Sequence, residues 1–426
     1  PMVILGLALL PAGAQDEAPA ADDPALETYF VANGAYNRKL YPVAVTQYKA
    51  FLAAHPEHAK ADLARRGLAL SHYALKEYAE AMPHLTALLG RENLDAAISR
   101  ERLVMLQGQC LLLTGKPDEA RALFVAEIDS LKTPAYRTGA LAAVSDASFN
   151  KAQWAEVVAW SGKLLSSNPS PEQSARGLYQ QGYAHYQLKK PQEAIASLEK
   201  IAVLEADKQW ATRAGYLLGE CHNATGETAK AEAAFAAALP GLKGKDASDC
   251  RYRLGLTRFI LKKYQESIAD LGEYLKAVEE GPQVPEAKLY LARAHLELEN
   301  YDEAQPVLTA LASRDDAVAA RASRWLARIH TRKDGDYDQA AEVLGPAVAK
   351  FKESLVINEL EFDYANALMA RGEPDWKTAL ALLQSVEQRG GFAQVPELLS
   401  QRAVCQHKLA DYEGSRASTE AFMAAH

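Results

Sequence analysis

One pattern recurs eleven times along this chain: an aromatic residue or proline (threonine in one copy), two variable positions, then a small residue. The copies are YPVA at Tyr41, YAEA at Tyr78, PDEA at Pro117, WAEV at Trp154, PQEA at Pro191 and TAKA at Thr228, then YQES at Tyr264, YDEA at Tyr301, YDQA at Tyr337, WKTA at Trp376 and YEGS at Tyr412. Their first letters are 37, 39, 37, 37, 37, 36, 37, 36, 39 and 36 residues apart. A fixed period of this length marks an array of supersecondary units, each burying its apolar face against its neighbours.

The interior of each copy indicates what that unit is. Nine residues before the group stands another small residue, at Ala69, Gly108, Ser145, Gly182, Gly219, Gly255, Ala292 and Ala403, inside an apolar run with helical spacing. Four residues after the group's small residue comes a bulky apolar one: Tyr48, Leu85, Phe124, Leu198, Phe235, Leu271, Leu308, Leu344 and Leu383. Short polar stretches such as LKKP, LKKY and LENY separate the two runs. The pattern predicts an all-α chain of about eleven helical hairpins, with small residues where two helices approach most closely.

These residues resemble the tetratricopeptide repeat family, most plainly in RGLYQQGYAHYQLKKPQEAIASLEK, Arg176 to Lys200. The resemblance covers roughly residues 28–426, at a period near 37 against the family's 34. It implies a right-handed α-α superhelix, a TPR-like solenoid, with longer turns near the two 39-residue steps, before Pro117 and Trp376.

The first residues carry a different signal. Met2 to Leu10 form an apolar stretch, followed by Ala12-Gly13-Ala14, which reads as the remnant of a signal peptide over 1–14 with cleavage after Ala14. An acidic linker rich in Ala and Pro is expected over 15–27, and the solenoid over 28–426. The expected location is the periplasm of a Gram-negative-type bacterium, or outside the cell. No run of about eighteen apolar residues suggests a membrane span. The formal net charge of −8 argues against nucleic acid as the partner.

Catalytic and metal chemistry find little support. The sequence has no HExxH, CxxC, GxSxG or GxGxxG motif, so no enzyme activity, cofactor or metal is expected. Cys110, Cys221 and Cys405 share one repeat position and are expected to be buried core residues rather than disulfides. His72, His185, His222 and His295 also share one position, and are expected to pack as hydrogen-bonded substitutes for an aromatic residue.

What remains is a surface for a protein or peptide partner. In the resembling family the first helix of each hairpin lines a concave groove. Carried over, that places Arg102 and Met105 in the groove, then Arg176, Tyr179, Tyr183 and Tyr186, then Arg213 and Tyr216, and finally Tyr252 and Phe259. Tyrosines with arginines are the composition of a binding face. The expected function is a non-enzymatic periplasmic scaffold holding a peptide or partner protein for envelope assembly, secretion or cell-wall work. The alternative is a structural subunit of an end-to-end fibre or sheath. That reading relies on self-association through the C-terminal hairpin, whose Leu398, Leu399, Val404, Phe422 and Met423 are expected to be partly bare.

Overall fold

The structure, a computed structural model, describes residues 23–424; the signal-peptide reading and most of the linker lie outside them. Among the described residues there are twenty-two α-helices and no strand. They fall into two compact units, one up to Thr225 and one from Gly226. The first unit holds α1 (Ala25–Asn37), α2 (Tyr41–Ala54), α3 (Ala61–Ala74), α4 (Tyr78–Leu89), α5 (Arg100–Leu113), α6 (Pro117–Glu127), α7 (Pro134–Asn150), α8 (Trp154–Leu165), α9 (Pro171–Gln187), α10 (Pro191–Leu198) and α11 (Lys208–Ala224). The second holds α12 (Thr228–Ala238), α13 (Gly244–Ile260), α14 (Tyr264–Ala277), α15 (Val284–Glu297), α16 (Tyr301–Ala312), α17 (Ala317–Ile329), α18 (Tyr337–Lys350), α19 (Ile357–Ala370), α20 (Trp376–Arg389), α21 (Val395–Lys408) and α22 (Tyr412–Ala424). Helix α1 starts at Ala25, inside the stretch expected to be linker.

The first letter of every repeated group is the first residue of a second helix, from Tyr41 at α2 to Tyr412 at α22. The aromatic letter packs across the turn against the residue five positions earlier. The ring pairs Tyr36–Tyr41, Tyr73–Tyr78, Phe149–Trp154, Phe259–Tyr264 and His407–Tyr412 all meet edge-on at 5.4–5.7 Å.

Nine hairpins share one three-residue turn. Its last N–H reaches the carbonyl five residues back, as in Leu40 to Ala35 at 2.8 Å and Lys263 to Arg258 at 2.9 Å. Its middle residue is left-handed, yet only Gly115 and Gly226 there are glycines; Lys39, Lys76, Ala152, Lys189, Lys262, Glu299 and Ala410 take φ of 55–63°. A left-handed non-glycine residue costs about 1 kcal/mol, so helix packing on both sides imposes the turn.

The 39-residue steps carry longer connections, but the first lies before α5 and not at the turn before Pro117, which is the common three-residue one. One is Gly90–Ser99 between α4 and α5, and the other is the five-residue turn Arg371–Asp375 before Trp376. A π turn, His330–Asp334, lengthens the connection between α17 and α18 and ends on left-handed Gly335. It explains why the ninth repeat shows no small residue nine positions before Tyr337: the small residue packed there is Ala327, one position further back.

The core follows the repeat. Ala44, Ala81, Ala120, Val157, Ala194, Ala231, Ser267, Ala304, Ala340 and Ala379, the small residues of the first ten groups, are all buried, and so are all nine bulky residues four positions later; Ser415 of the last group is half-buried. Where the first helix carries a glycine, the bulky side chain takes the space a side chain there would fill. A Cβ added at Gly108 would lie 2.1 Å from the Phe124 ring, at Gly182 2.6 Å from Leu198, and at Gly255 2.8 Å from Leu271. Between hairpins the same arrangement sets Gly67 against Tyr48, whose ring fills the space a Cβ at Gly67 would need.

Buried polar groups sit beside this core. Cys110, Cys221, Cys250 and Cys405 are free and buried, and burial pushes the Cys110 and Cys221 thiols up to about 12. His72 is buried, its Nδ1 2.6 Å from Glu77 and its ring stacked on His84 at 6.1 Å. His222 is also buried. His185 and His295 depart from the expectation: in both, Nδ1 is buried without a hydrogen-bond partner. Burial holds the His84, His185 and His295 imidazoles below the usual histidine range.

The last described hairpin corrects one expectation. Leu398 and Leu399 are buried, Leu398 within the core shared with α18, α19 and α20, while Val404 and Met423 remain exposed and Phe422 is half-buried.

Two predictions arise from this packing. A glycine inside a helix costs about 1 kcal/mol relative to alanine, while overfilling a core costs about 1–3 kcal/mol. Gly182→Ala should therefore destabilise the chain by up to about 2 kcal/mol, the overfilling outweighing the gain in helix propensity. Gly162→Ala, whose Cβ would meet nothing closer than 3.8 Å, should leave stability unchanged or raise it. Denaturant unfolding of both variants checks this, and equal effects would refute the close-approach reading. The second prediction concerns pH. A histidine with a depressed folded pKa contributes stability that is present above the unfolded value of about 6.5 and is lost as pH falls from there toward the folded value. The melting temperature should therefore fall between about pH 7 and pH 5.5. His185→Gln with His295→Gln should flatten that slope, and an unchanged slope would refute the assignment.

Candidate partner-binding surface

Within each unit the first helices of successive hairpins lie against one another: α7 on α9 and α9 on α11 in the first, α13 on α15, α15 on α17 and α17 on α19 in the second. Their outward-facing side chains therefore form a shared face in each unit.

In the first unit five aromatic rings cluster over three repeats, four on first helices and Trp154 at the start of α8. Phe149, in the last turn of α7, lies 5.7 Å from Trp154, and both rings contact Tyr183 on α9, at 5.3 and 5.5 Å. Tyr183 meets Tyr179, one helical turn away, at 6.3 Å, and Tyr179 meets Trp210 of α11 at 5.7 Å. All five are half-buried.

The rings are held in place. The Trp210 indole N–H donates to Glu172 at 2.5 Å, and the second carboxylate oxygen of Glu172 accepts the Asp207 backbone N–H at 3.2 Å. The Arg213 guanidinium lies over the Trp210 ring at 5.6 Å. The Tyr186 hydroxyl reaches Glu220 of the next repeat at 3.5 Å. Tyr216 is half-buried on α11.

Four of the expected contact residues take other roles. Arg176 forms an ion pair with Asp146 at 2.6 Å, both mostly buried, and Gln180 donates to the same carboxylate at 2.7 Å. Burial pushes the Asp146 carboxyl up, and Arg176 opposes that. This cation ties α7 to α9 instead of facing a ligand. Met105 is buried in the core between α5, α6 and α7. Tyr252 is buried against Tyr274, with ring centroids 5.2 Å apart. Phe259 is buried because its repeat position faces the opening aromatic of the second helix, here Tyr264. Arg102 stands apart from the aromatic shelf, lining a small cavity with Arg66 and Leu70.

Sequence reasoning found Tyr179, Tyr183 and Arg213 but missed Phe149, Trp154 and Trp210. Phe149 and Trp154 share the turn-closing aromatic pattern, and that pattern gave no sign that a third ring, Tyr183, extends the pair into a surface. Trp210 precedes the positions carried over from the resemblance, although it stands one helical turn before Arg213 on α11. Chemically, the shelf offers flat apolar faces bordered by a guanidinium and by carboxylates, which suits a side-chain-rich segment of another protein.

No helix among the described residues is long and apolar enough to cross a membrane. No curated protein matches the chain in sequence. Among solved structures it is similar to the C-terminal part of a TPR repeat-containing protein from Cytophaga hutchinsonii, at 15% identity over 61% of this chain and 98% of that one, TM-score 0.45. It is also similar to MamA, at 21% identity over 38% of this chain and 90% of that one, TM-score 0.33. A third similarity is to yeast Tom70, at 13% identity over 93% and 91%, TM-score 0.38. The sequence profile of the tetratricopeptide repeat matches residues 32–96, 179–249, 252–304 and 289–344, together more than half of the chain. With its helix pairs and its small-on-bulky core in register with those repeats, the chain belongs to the tetratricopeptide repeat family.

Proposed function

We propose that this chain is a non-enzymatic scaffold that holds a peptide segment or a partner's helix on the first-helix face of its first unit. A protein-interaction scaffold is what the tetratricopeptide fold supports in general, and the aromatic shelf from Phe149 to Trp210 is the observation that carries the specific reading. Its rings are already immobilised by Glu172 and by one another, so a partner that covers them loses little conformational entropy at this surface. Each aromatic side chain offers a large contact area at low entropic cost, which is why such residues dominate the energetics of interfaces.

The signal-like Met2 to Leu10 and the Ala12-Gly13-Ala14 site support export, and with it a role in envelope assembly, secretion or cell-wall work. A second reading, a structural subunit joined end to end, is favoured by the exposed Val404, Tyr412 and Met423 of the last described hairpin. Mass in solution at micromolar concentration separates the two: discrete particles fit the scaffold, and growing polymers fit the fibre.

The shelf is tested by selecting peptides from a display library on the full chain and titrating them calorimetrically. Trp154→Ala with Tyr179→Ala and Trp210→Ala should weaken the selected peptides by about 100-fold, close to 2.8 kcal/mol, while the far-ultraviolet circular dichroism persists. Equal affinity for the triple variant would show that binding lies elsewhere.

A further inference from the structure

The arginines of the second unit are mostly matched to carboxylates. Arg258 has both Asp270 at 2.6 Å and Glu232 at 3.2 Å, Arg389 holds Glu361 through two bonds of 3.0 Å, Arg321 grips Glu286, and Arg402 grips Glu387. One cavity of about 340 Å³ between α17, α18 and α19 breaks this pattern; it is lined by Arg324, Arg328, Arg332, Tyr337, Asp363 and Asn366.

The lining holds three guanidiniums and one carboxylate. Arg324 donates to Asp363 at 2.6 Å, while Arg328 stands 3.6 Å from the same oxygen, beyond hydrogen-bond range. Arg332 lies 3.7 Å from Glu297, which also faces Arg293, so that acid does not balance the cavity. The lining carries an excess of two positive charges, and most of the fifteen or so N–H donors of three guanidiniums have no acceptor within bonding distance.

The arginines are also pre-positioned. Trp325 packs on Arg328 of the cavity at 4.6 Å and on Arg293 outside it at 4.3 Å, and Arg293 also packs on Phe259 at 4.6 Å and Tyr290 at 4.9 Å. The π turn His330–Asp334 includes Arg332 itself and follows directly on the helix that carries Arg324 and Arg328; single π turns of this kind recur at functional sites.

We propose that this cavity is a binding site for a doubly charged oxyanion of the phosphate class, either free or as a monoester. Two charges match the excess of two, and tetrahedral oxygens accept from several guanidiniums at once, replacing the acceptors the arginines lack. Asn366 and the Tyr337 hydroxyl supply further polar contacts at the rim. This site is independent of the aromatic shelf of the first unit and stands or falls separately.

The test is calorimetric titration of the full chain with inorganic phosphate, phenyl phosphate and succinate at constant ionic strength, in a buffer without other oxyanions. Phosphate should bind saturably at one site per chain. Arg328→Gln with Arg332→Gln should weaken it by about tenfold or more, and Asp363→Asn, by removing the internal competitor, should tighten it. The Asp363→Asn variant keeps the proposal testable if the double arginine variant fails to fold, because a merely structural role for Asp363 would not tighten binding. Equal affinities for phosphate and phenyl phosphate would assign the site to the free ion, and tighter phenyl phosphate would assign it to a monoester; both support it. Three results would overturn it: no saturable binding of either up to about 10 mM, unchanged affinity in the variants, or succinate binding as tightly as phosphate.

Discussion

Everything in this chain depends on one contact, a bulky side chain of the second helix seated where the first helix has no room for it except above a glycine or alanine. Phe124 over Gly108, Leu198 over Gly182 and Leu271 over Gly255 are the barest cases. The contact fixes the distance between the two helices and so fixes the turn that joins them. Seven non-glycine residues accept a left-handed backbone in that turn because the helices on both sides are already committed. Burying a Leu or Phe is worth about 1.5–3 kcal/mol, more than the roughly 1 kcal/mol lost by such a residue or by a helical glycine, so the packing prevails at each step.

The same contact shapes the surface. With the second helices spaced by their bulky residues, the first helices pack on one another from hairpin to hairpin, and side chains on their outward positions gather into faces. The two units use those faces differently. The first gathers aromatic rings, steadied by Glu172 and bordered by Arg213. The second gathers cations around Trp325 and Asp363. One scaffold thus carries two chemistries, and each rests on local neighbours within its own unit.

The fold was largely legible in the sequence because its determinants are local and periodic: every second helix begins on the letter that the repeat marks, and every bulky residue four positions after the small one is buried. The site was legible only in part. Repeat position predicts the direction of a side chain but not its neighbours, so Tyr252 and Phe259 were read as groove residues although Tyr274 and Tyr264 cover them. Arg176 read as a free cation because Asp146, 30 residues earlier and one hairpin away, becomes its partner only on folding. The arginine cavity went unread because the π turn displaces the ninth repeat by one residue and hides it from the period. Local pattern gives the hairpin, and contacts between repeats decide what its surface can do.

The central claim is that each hairpin is held by its own small-on-bulky contact and coupled mainly to its neighbours. Amide hydrogen exchange of Gly182→Ala compared with the unsubstituted chain tests this most directly. The account predicts lost protection in α9 and α10, a smaller loss in α8 and α11, and unchanged protection in α1 to α4. Uniform loss across residues 23–225, or no loss in α9 and α10, would contradict it.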